Sequence, residues 1–207
     1  MIYLASWILS LIILKFNFKT KVFGRENAPR GGFVFVSNHE SYLDPLLLGT
    51  ALPFWKWFFF IAKNELFDKP LKIWYLKKIH ALPLDREGDV STVKAVIKML
   101  KNGRSFVLFP EGTRSRGEGL RRAKPGAGFI AAKAGVPVVP AYIEGSYKAM
   151  PEDSKSAVKR SRINVFIGKP MKFVNTDNGS KEVYQKISDE IMAAIAQLKD
   201  THAGKIS

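Results

Sequence analysis

The chain has 207 residues, carries 33 Lys and Arg against 18 Asp and Glu for a net charge of +15, and contains no cysteine. That length suits one domain with a substantial core, while the missing cysteines exclude disulfides and thiolate catalysis, and His39, His80 and His202 lack the spacing of a metal cluster. The basic surplus is spread along the chain and favours a polyanionic partner: nucleic acid, an anionic bilayer surface or a phosphorylated substrate.

Residues 1–14, MIYLASWILSLIIL, are apolar and uncharged, and Lys15, Lys19 and Lys21 follow them. As a helix this run extends roughly 20 Å, short of a ~30 Å hydrocarbon core. A cleaved signal peptide has its basic residues before the apolar run, and here they come after. The segment reads as a helix lying in or dipping into one leaflet, with the lysines at headgroup level. The competing reading is a buried N-terminal helix of the core.

A short edge strand at 21–24 and a Pro/Gly turn at 27–32 lead to Phe33-Val34-Phe35-Val36, whose aromatic and β-branched content predicts a buried strand. Ser37 to Leu43 form a polar loop, and Asp44-Pro45 predict a helix start with Asp44 at the N-cap and Pro45 at the first helical position. The aromatic stretch 54–61 holds a strand at 58–62, and Trp55 and Trp57 suit a membrane interface. Residues 63–78 read as helical on either side of Pro70, and 81–86 as a short extended piece. A helix begins at Asp89, with Val90, Val93, Val96, Ile97 and Leu100 at helical spacing, and ends at Asn102-Gly103. A buried strand at 105–109, a polar loop at 110–125 and a small-residue helix at 126–133 follow. The strand at 136–143 contains Pro137 and Pro140, which predict an edge or a strand end. A half-buried strand at 163–167 precedes a final helix capped by Ser180, with Val183, Ile187, Ile191, Ile195 and Leu198 along one face.

This order predicts a single α/β domain: a mainly parallel mixed sheet with helices on both faces, preceded by the N-terminal membrane-associating helix over residues 1–20. In such a sheet the carboxyl ends of the parallel strands open on one edge, where α/β folds keep their chemistry. Two charged loops converge there. In the first, a turn between His39 and Asp44 lets the carboxylate fold back onto the imidazole, fixing its tautomer and leaving the other nitrogen free to take a proton. The plainer alternative makes Asp44 a helix cap and His39 a loop histidine bonded to backbone. In the second loop, Gly112 permits close backbone approach, Arg114 offers a planar fork for two phosphate oxygens, and Glu111 orients that arginine or accepts a bond from a substrate hydroxyl. A solvated basic surface loop is the alternative here. Arg86 stands at a third strand–loop boundary.

Asn38-His39-Glu40-Ser41-Tyr42-Leu43-Asp44 resembles the His-x-x-x-x-Asp motif of the glycerolipid acyltransferases, in particular the lysophosphatidic acid acyltransferases, and Phe109-Pro110-Glu111-Gly112-Thr113-Arg114-Ser115 resembles their third motif almost letter for letter. Leu84-Asp85-Arg86 is similar to the second motif, 136–140 to the fourth, and Lys63-Asn64-Glu65-Leu66 to a block between the first two. The second motif is short here, and the N-terminal segment is shorter than the membrane-binding part of many relatives.

The resemblance implies an acyltransferase catalytic domain over 21–207 that moves an acyl chain from acyl-CoA or acyl-carrier protein to the free hydroxyl of a lysophospholipid, without a metal or other cofactor. It implies His39 as general base oriented by Asp44, with Arg114, Arg86 and Lys63 on the acceptor's phosphate, and with Glu111, Gly112 and Thr113 completing the substrate site. It further implies a monotopic enzyme on the cytoplasmic face of an anionic membrane. Other acceptors, namely glycerol 3-phosphate, a lyso-ornithine lipid or another lysophospholipid, stay open, as does a basic lipid-binding protein without catalysis. Nucleic acid is not expected, because the basic residues are dispersed and no nucleic-acid motif is present.

Overall fold

A computed structural model describes residues 2–84, 90–151, 160–174 and 179–202. Its strands are β1 (Lys21–Phe23), β2 (Val34–Ser37), β3 (Phe58–Lys63), β4 (Ala81–Leu84), β5 (Ser105–Leu108), β6 (Val138–Glu144) and β7 (Asn164–Ile167). They form one sheet in the order β1-β7-β6-β2-β5-β3-β4. Every neighbouring pair is parallel except β6 with β7. The helices are α1 (Ile2–Phe18), α2 (Asp44–Ala51), α3 (Pro70–Lys78), α4 (Val90–Lys101), α5 (Pro125–Ala134), α6 (Ser146–Ala149) and α7 (Lys181–His202).

The central strands are buried on both faces and send alternate side chains to two cores. Phe35 and Val107 join Leu14 and Phe18 of α1 and Leu47 and Leu48 of α2 on one side. Val34, Val36, Phe106 and Leu108 meet Val96 of α4, Ile130 of α5 and Ile191 of α7 on the other. The predicted two-sided sheet is therefore present. At the α5–α7 contact the helices approach so closely that a Cβ on Gly128 would lie 2.0 Å from the Tyr184 carbonyl oxygen. Ser188 bridges there, accepting from the Gly128 N–H at 2.8 Å and donating to the Lys124 carbonyl at 2.9 Å.

Three expectations change. β6 is an interior strand between β7 and β2, not an edge. Pro140 is tolerated because its carbonyl accepts from Gly168 on the β7 side. Its missing donor faces the same side, in the gap between the Val138–Met171 bridge and the Ala141–Ile167 pair. The helix expected before Pro70 is only a single 3₁₀ turn at Asn64–Leu66, with Lys63 closing β3, whereas the helix expected after it is present as α3. The loop to Pro70 cannot stay helical, since the residue before a proline is pushed to extended backbone, and Lys69 has φ −130° and ψ 141°. Asp44 is the first residue of α2, and no side chain caps that helix.

α1 packs on the body along part of its surface and leaves the rest exposed. Leu14 and Phe18 are buried against the body, and the Tyr3 hydroxyl accepts from the Phe58 N–H at 3.3 Å. Leu4, Ile8, Leu9, Ile12, Ile13 and Phe16 remain exposed, as do Trp55, Trp57, Leu71 and Trp74. No helix of the described residues is long and apolar enough to cross a membrane.

Candidate active site

β2 ends where its backbone peels away from β6. Asn38 covers the gap: its amide accepts from the Ile143 N–H at 2.8 Å and donates to the Ile143 carbonyl at 2.9 Å. The side chain thus continues the β2–β6 pairing for one residue and frees the backbone of His39 to turn outward.

Asp44 then turns back across the loop. One of its oxygens lies 2.8 Å from His39 Nδ1 and also accepts the Glu40 and Ser41 N–H groups at 2.7 and 2.8 Å. Asp44 is wholly buried while the imidazole keeps 18% of its side-chain surface, so the carboxylate holds the ring from beneath and Nε2 is the outward nitrogen. The capping alternative fails because the carboxylate serves the loop before the helix. The second Asp44 oxygen is buried without a hydrogen-bond partner among the described residues. Ser41 is fully buried, donating to the Met150 carbonyl at 2.9 Å and accepting from the Leu43 N–H, which is a structural arrangement rather than that of a nucleophile.

The loop after β5 arrives beside it, as the parallel pairing Val36–Leu108 requires. Phe109 stacks on the His39 ring with centroids 4.0 Å apart. The Ser115 N–H donates to the His39 carbonyl at 2.8 Å. The carboxylate of Glu111 accepts the His39 N–H at 3.0 Å with one oxygen and the Arg121 N–H at 3.1 Å with the other. Burial pushes the Glu111 carboxyl up to about 7, against the pull of those two amides. Glu111, expected to orient Arg114 or meet a substrate hydroxyl, ties the two loops together by accepting from their backbone. Gly112 has φ +71°, and a Cβ there would meet the Lys124 side chain at 2.9 Å. Thr113 is exposed on the same loop. Arg114 is half-buried, its guanidinium carbon 3.6 Å from the centroid of the Tyr42 ring.

His39, Asp44, Glu111, Gly112, Thr113 and Arg114 therefore share one edge of the sheet. The backbone of Lys63 ends β3, the strand beyond β5, but its side chain lies outside what the structure describes, as does all of Arg86. The sequence reading missed Phe109 and Tyr42. Both are aromatic residues within the two motifs, and that position was the one signal available.

A family model described as Acyltransferase matches residues 19–144, a span that runs from just before β1 to the end of β6 and includes both loops. The chain belongs to the Acyltransferase family. A 1-acyl-sn-glycerol-3-phosphate acyltransferase of Bacillus subtilis is 37% identical over 164 residues, covering 77% of each chain. A chloroplastic one of Arabidopsis thaliana is 36% identical over 179 residues, 84% of this chain and 49% of the plant protein. This acyltransferase chain thus spans about half the length of its plant relatives. A lyso-ornithine lipid O-acyltransferase of Pseudomonas aeruginosa is 32% identical over 151 residues, 72% of this chain and 56% of that one. The crystal structure of the 1-acyl-sn-glycerophosphate acyltransferase of Thermotoga maritima superposes with a TM-score of 0.81 at 27% identity, over 99% of this chain and 81% of the other.

Proposed function

We propose that this acyltransferase esterifies the free sn-2 hydroxyl of lysophosphatidic acid with an acyl group from an acyl thioester, either acyl-CoA or acyl-carrier protein, giving phosphatidic acid. The observation that carries the reading is the His39–Asp44 pair at 2.8 Å, on a loop that touches Arg114 through Tyr42. A glycerol hydroxyl is a weak nucleophile near neutrality and needs a base within hydrogen-bond reach. His39 Nε2 takes its proton as the oxygen attacks the thioester carbonyl, and Asp44 holds Nδ1–H and stabilises the imidazolium. When the tetrahedral intermediate collapses, the C–S bond breaks, and the imidazolium returns its proton to the leaving thiolate. Arg114 receives the acceptor's phosphate, and the motif resemblance adds Arg86 and Lys63 as further cations for it. Glu111 contributes by fixing the His39 and Arg121 amides, and the Gly112 backbone, packed by Lys124, lines the glycerol region.

Donor and acceptor must meet at a bilayer, because the acceptor and product carry long chains. The exposed face of α1, with Trp55, Trp57 and Trp74, and the net charge of +15 support docking on an anionic leaflet, and the cytosolic acyl donors of the proposed reaction put that leaflet on the cytoplasmic side. The test is mass spectrometry of lipid products formed from a labelled acyl donor with lysophosphatidic acid, lyso-ornithine lipid and glycerol 3-phosphate offered separately. Phosphatidic acid in excess is the expected result. Labelled ornithine lipid in excess moves the assignment to that acceptor, and no labelled lipid from any acceptor rejects it.

A further inference from the structure

Tyr42 lies inside the turn that joins His39 to Asp44, yet its ring is 55% exposed and belongs to neither buried core. What it carries is the Arg114 guanidinium, at van der Waals contact with the face of the ring. One residue along, the Ser115 N–H is bonded to the His39 carbonyl. Besides the Glu111 and Phe109 contacts to His39, the two loops are thus joined through backbone beside His39 and through the Tyr42–Arg114 stack.

Arginine has four rotatable side-chain bonds, and an exposed guanidinium samples many positions. A ring face against one side removes most of them. It leaves uncovered by the ring the N–H edge, the part that bonds phosphate oxygens, of which one nitrogen, Nη1, is buried. The base and the ring sit in one short turn whose geometry Asp44 fixes by three hydrogen bonds to one oxygen. Their separation is therefore set by a rigid piece of chain.

We propose that Tyr42 is a positioning residue that holds Arg114 at a fixed distance from His39, so that the enzyme selects acceptors by the spacing between phosphate and hydroxyl. The inference rests on the reading of Arg114 as phosphate receptor given above. It acts through the ring face, so phenylalanine serves in place of tyrosine and alanine does not.

The experiment compares wild type, Y42F, Y42A, R114A and Y42A/R114A with lysophosphatidic acid and with monoacylglycerol, which lacks the phosphate. Y42A should raise the KM for lysophosphatidic acid ~10-fold with a much smaller fall in kcat, and lower the preference for the phosphorylated acceptor by a similar factor. Y42F should stay within about twofold of wild type, and Y42A should add less than about twofold to R114A. Equal impairment of Y42F and Y42A, an equal loss on both acceptors, or additive effects of Y42A and R114A would overturn the proposal. Calorimetric binding of glycerol 3-phosphate repeats the cycle without turnover: Y42A and R114A should each weaken it, and the double variant no further. Wild type that binds this ligand but acylates no lysophospholipid refutes the functional reading and leaves the Tyr42 cycle readable. Binding unchanged by Y42A refutes the Tyr42 role alone.

Discussion

Replacing Asp44 with asparagine isolates the charge beneath His39. One oxygen of Asp44 accepts the imidazole and two backbone amides. An asparagine carbonyl can take the same three bonds, so the turn is kept while the negative charge is lost. With N and O 2.8 Å apart, an imidazolium and a carboxylate have charge centres about 4 Å apart. At an effective dielectric near 20 they attract by about 4 kcal/mol. That attraction is absent while the imidazole is neutral and present once it has taken the proton, so its loss falls on the transition state. The expected cost in kcat is ~10³-fold. The asparagine NH₂ would occupy the place of the buried, unpartnered oxygen, with a stability cost of about 1–3 kcal/mol, partly offset by removal of a buried charge. Thiol release from the acyl donor measures kcat, and a thermal melt followed by circular dichroism measures the fold. A folded D44N variant within ~10-fold of wild type would refute the role given to the pair.

Three further outcomes are expected. Glu111 holds its proton up to about 7 in the folded chain, above the ordinary glutamate range, so the folded state binds the extra proton from that range up to about 7 and stability falls as pH rises across it, by up to about 3 kcal/mol. E111Q lacks this titration and loses one of the two amide contacts, so its Tm should start below that of wild type at pH 5 and the gap should narrow by pH 8; parallel Tm–pH curves would refute the role of the carboxyl. S41A removes the bond to the Met150 carbonyl and should cost about 1 kcal/mol in urea denaturation with less than ~10-fold in kcat; a loss of ~10³-fold, or an acyl-protein adduct in intact-mass spectra during turnover, would make Ser41 a nucleophile after all. G128A drives a methyl into the Tyr184 carbonyl and should destabilise by about 3 kcal/mol or more, while G126A in the same helix, with nothing within 4 Å, should be neutral or stabilising by up to about 1 kcal/mol.

Much of the sheet could be read from the chain because its central strands are short apolar runs followed by polar loops. Phe33 to Val36 and Ser105 to Phe109 offer no helical face, and parallel pairing then carries both loops to one edge. The His39–Asp44 contact could be anticipated because a turn is the one way those side chains meet at that spacing. Propensity misled where partners elsewhere supplied what the residue lacks. Pro140 reads as a strand end until Gly168 and the interrupted β7 pairing are known. Asp44 reads as a cap until the amides of Glu40 and Ser41 are seen to claim it. Phe109 and Tyr42 carry no charge, so nothing in their type announces that they hold an imidazole and a guanidinium.

The division of labour at this edge follows from which groups have to move. In the proposed reaction His39 must take up and release a proton without shifting, and it is held at several points: Asp44 below, Phe109 on its face, and the Glu111 carboxylate and Ser115 amide on its backbone. A side chain so constrained loses little freedom when substrate arrives, which leaves binding energy for orienting the hydroxyl. The proposed phosphate receptor, Arg114, has the opposite need, because in that reaction a lipid enters from the bilayer and its product leaves. The Arg114 guanidinium lies on the partly exposed ring face of Tyr42. A ring face stabilises the cation without competing with phosphate for its N–H groups.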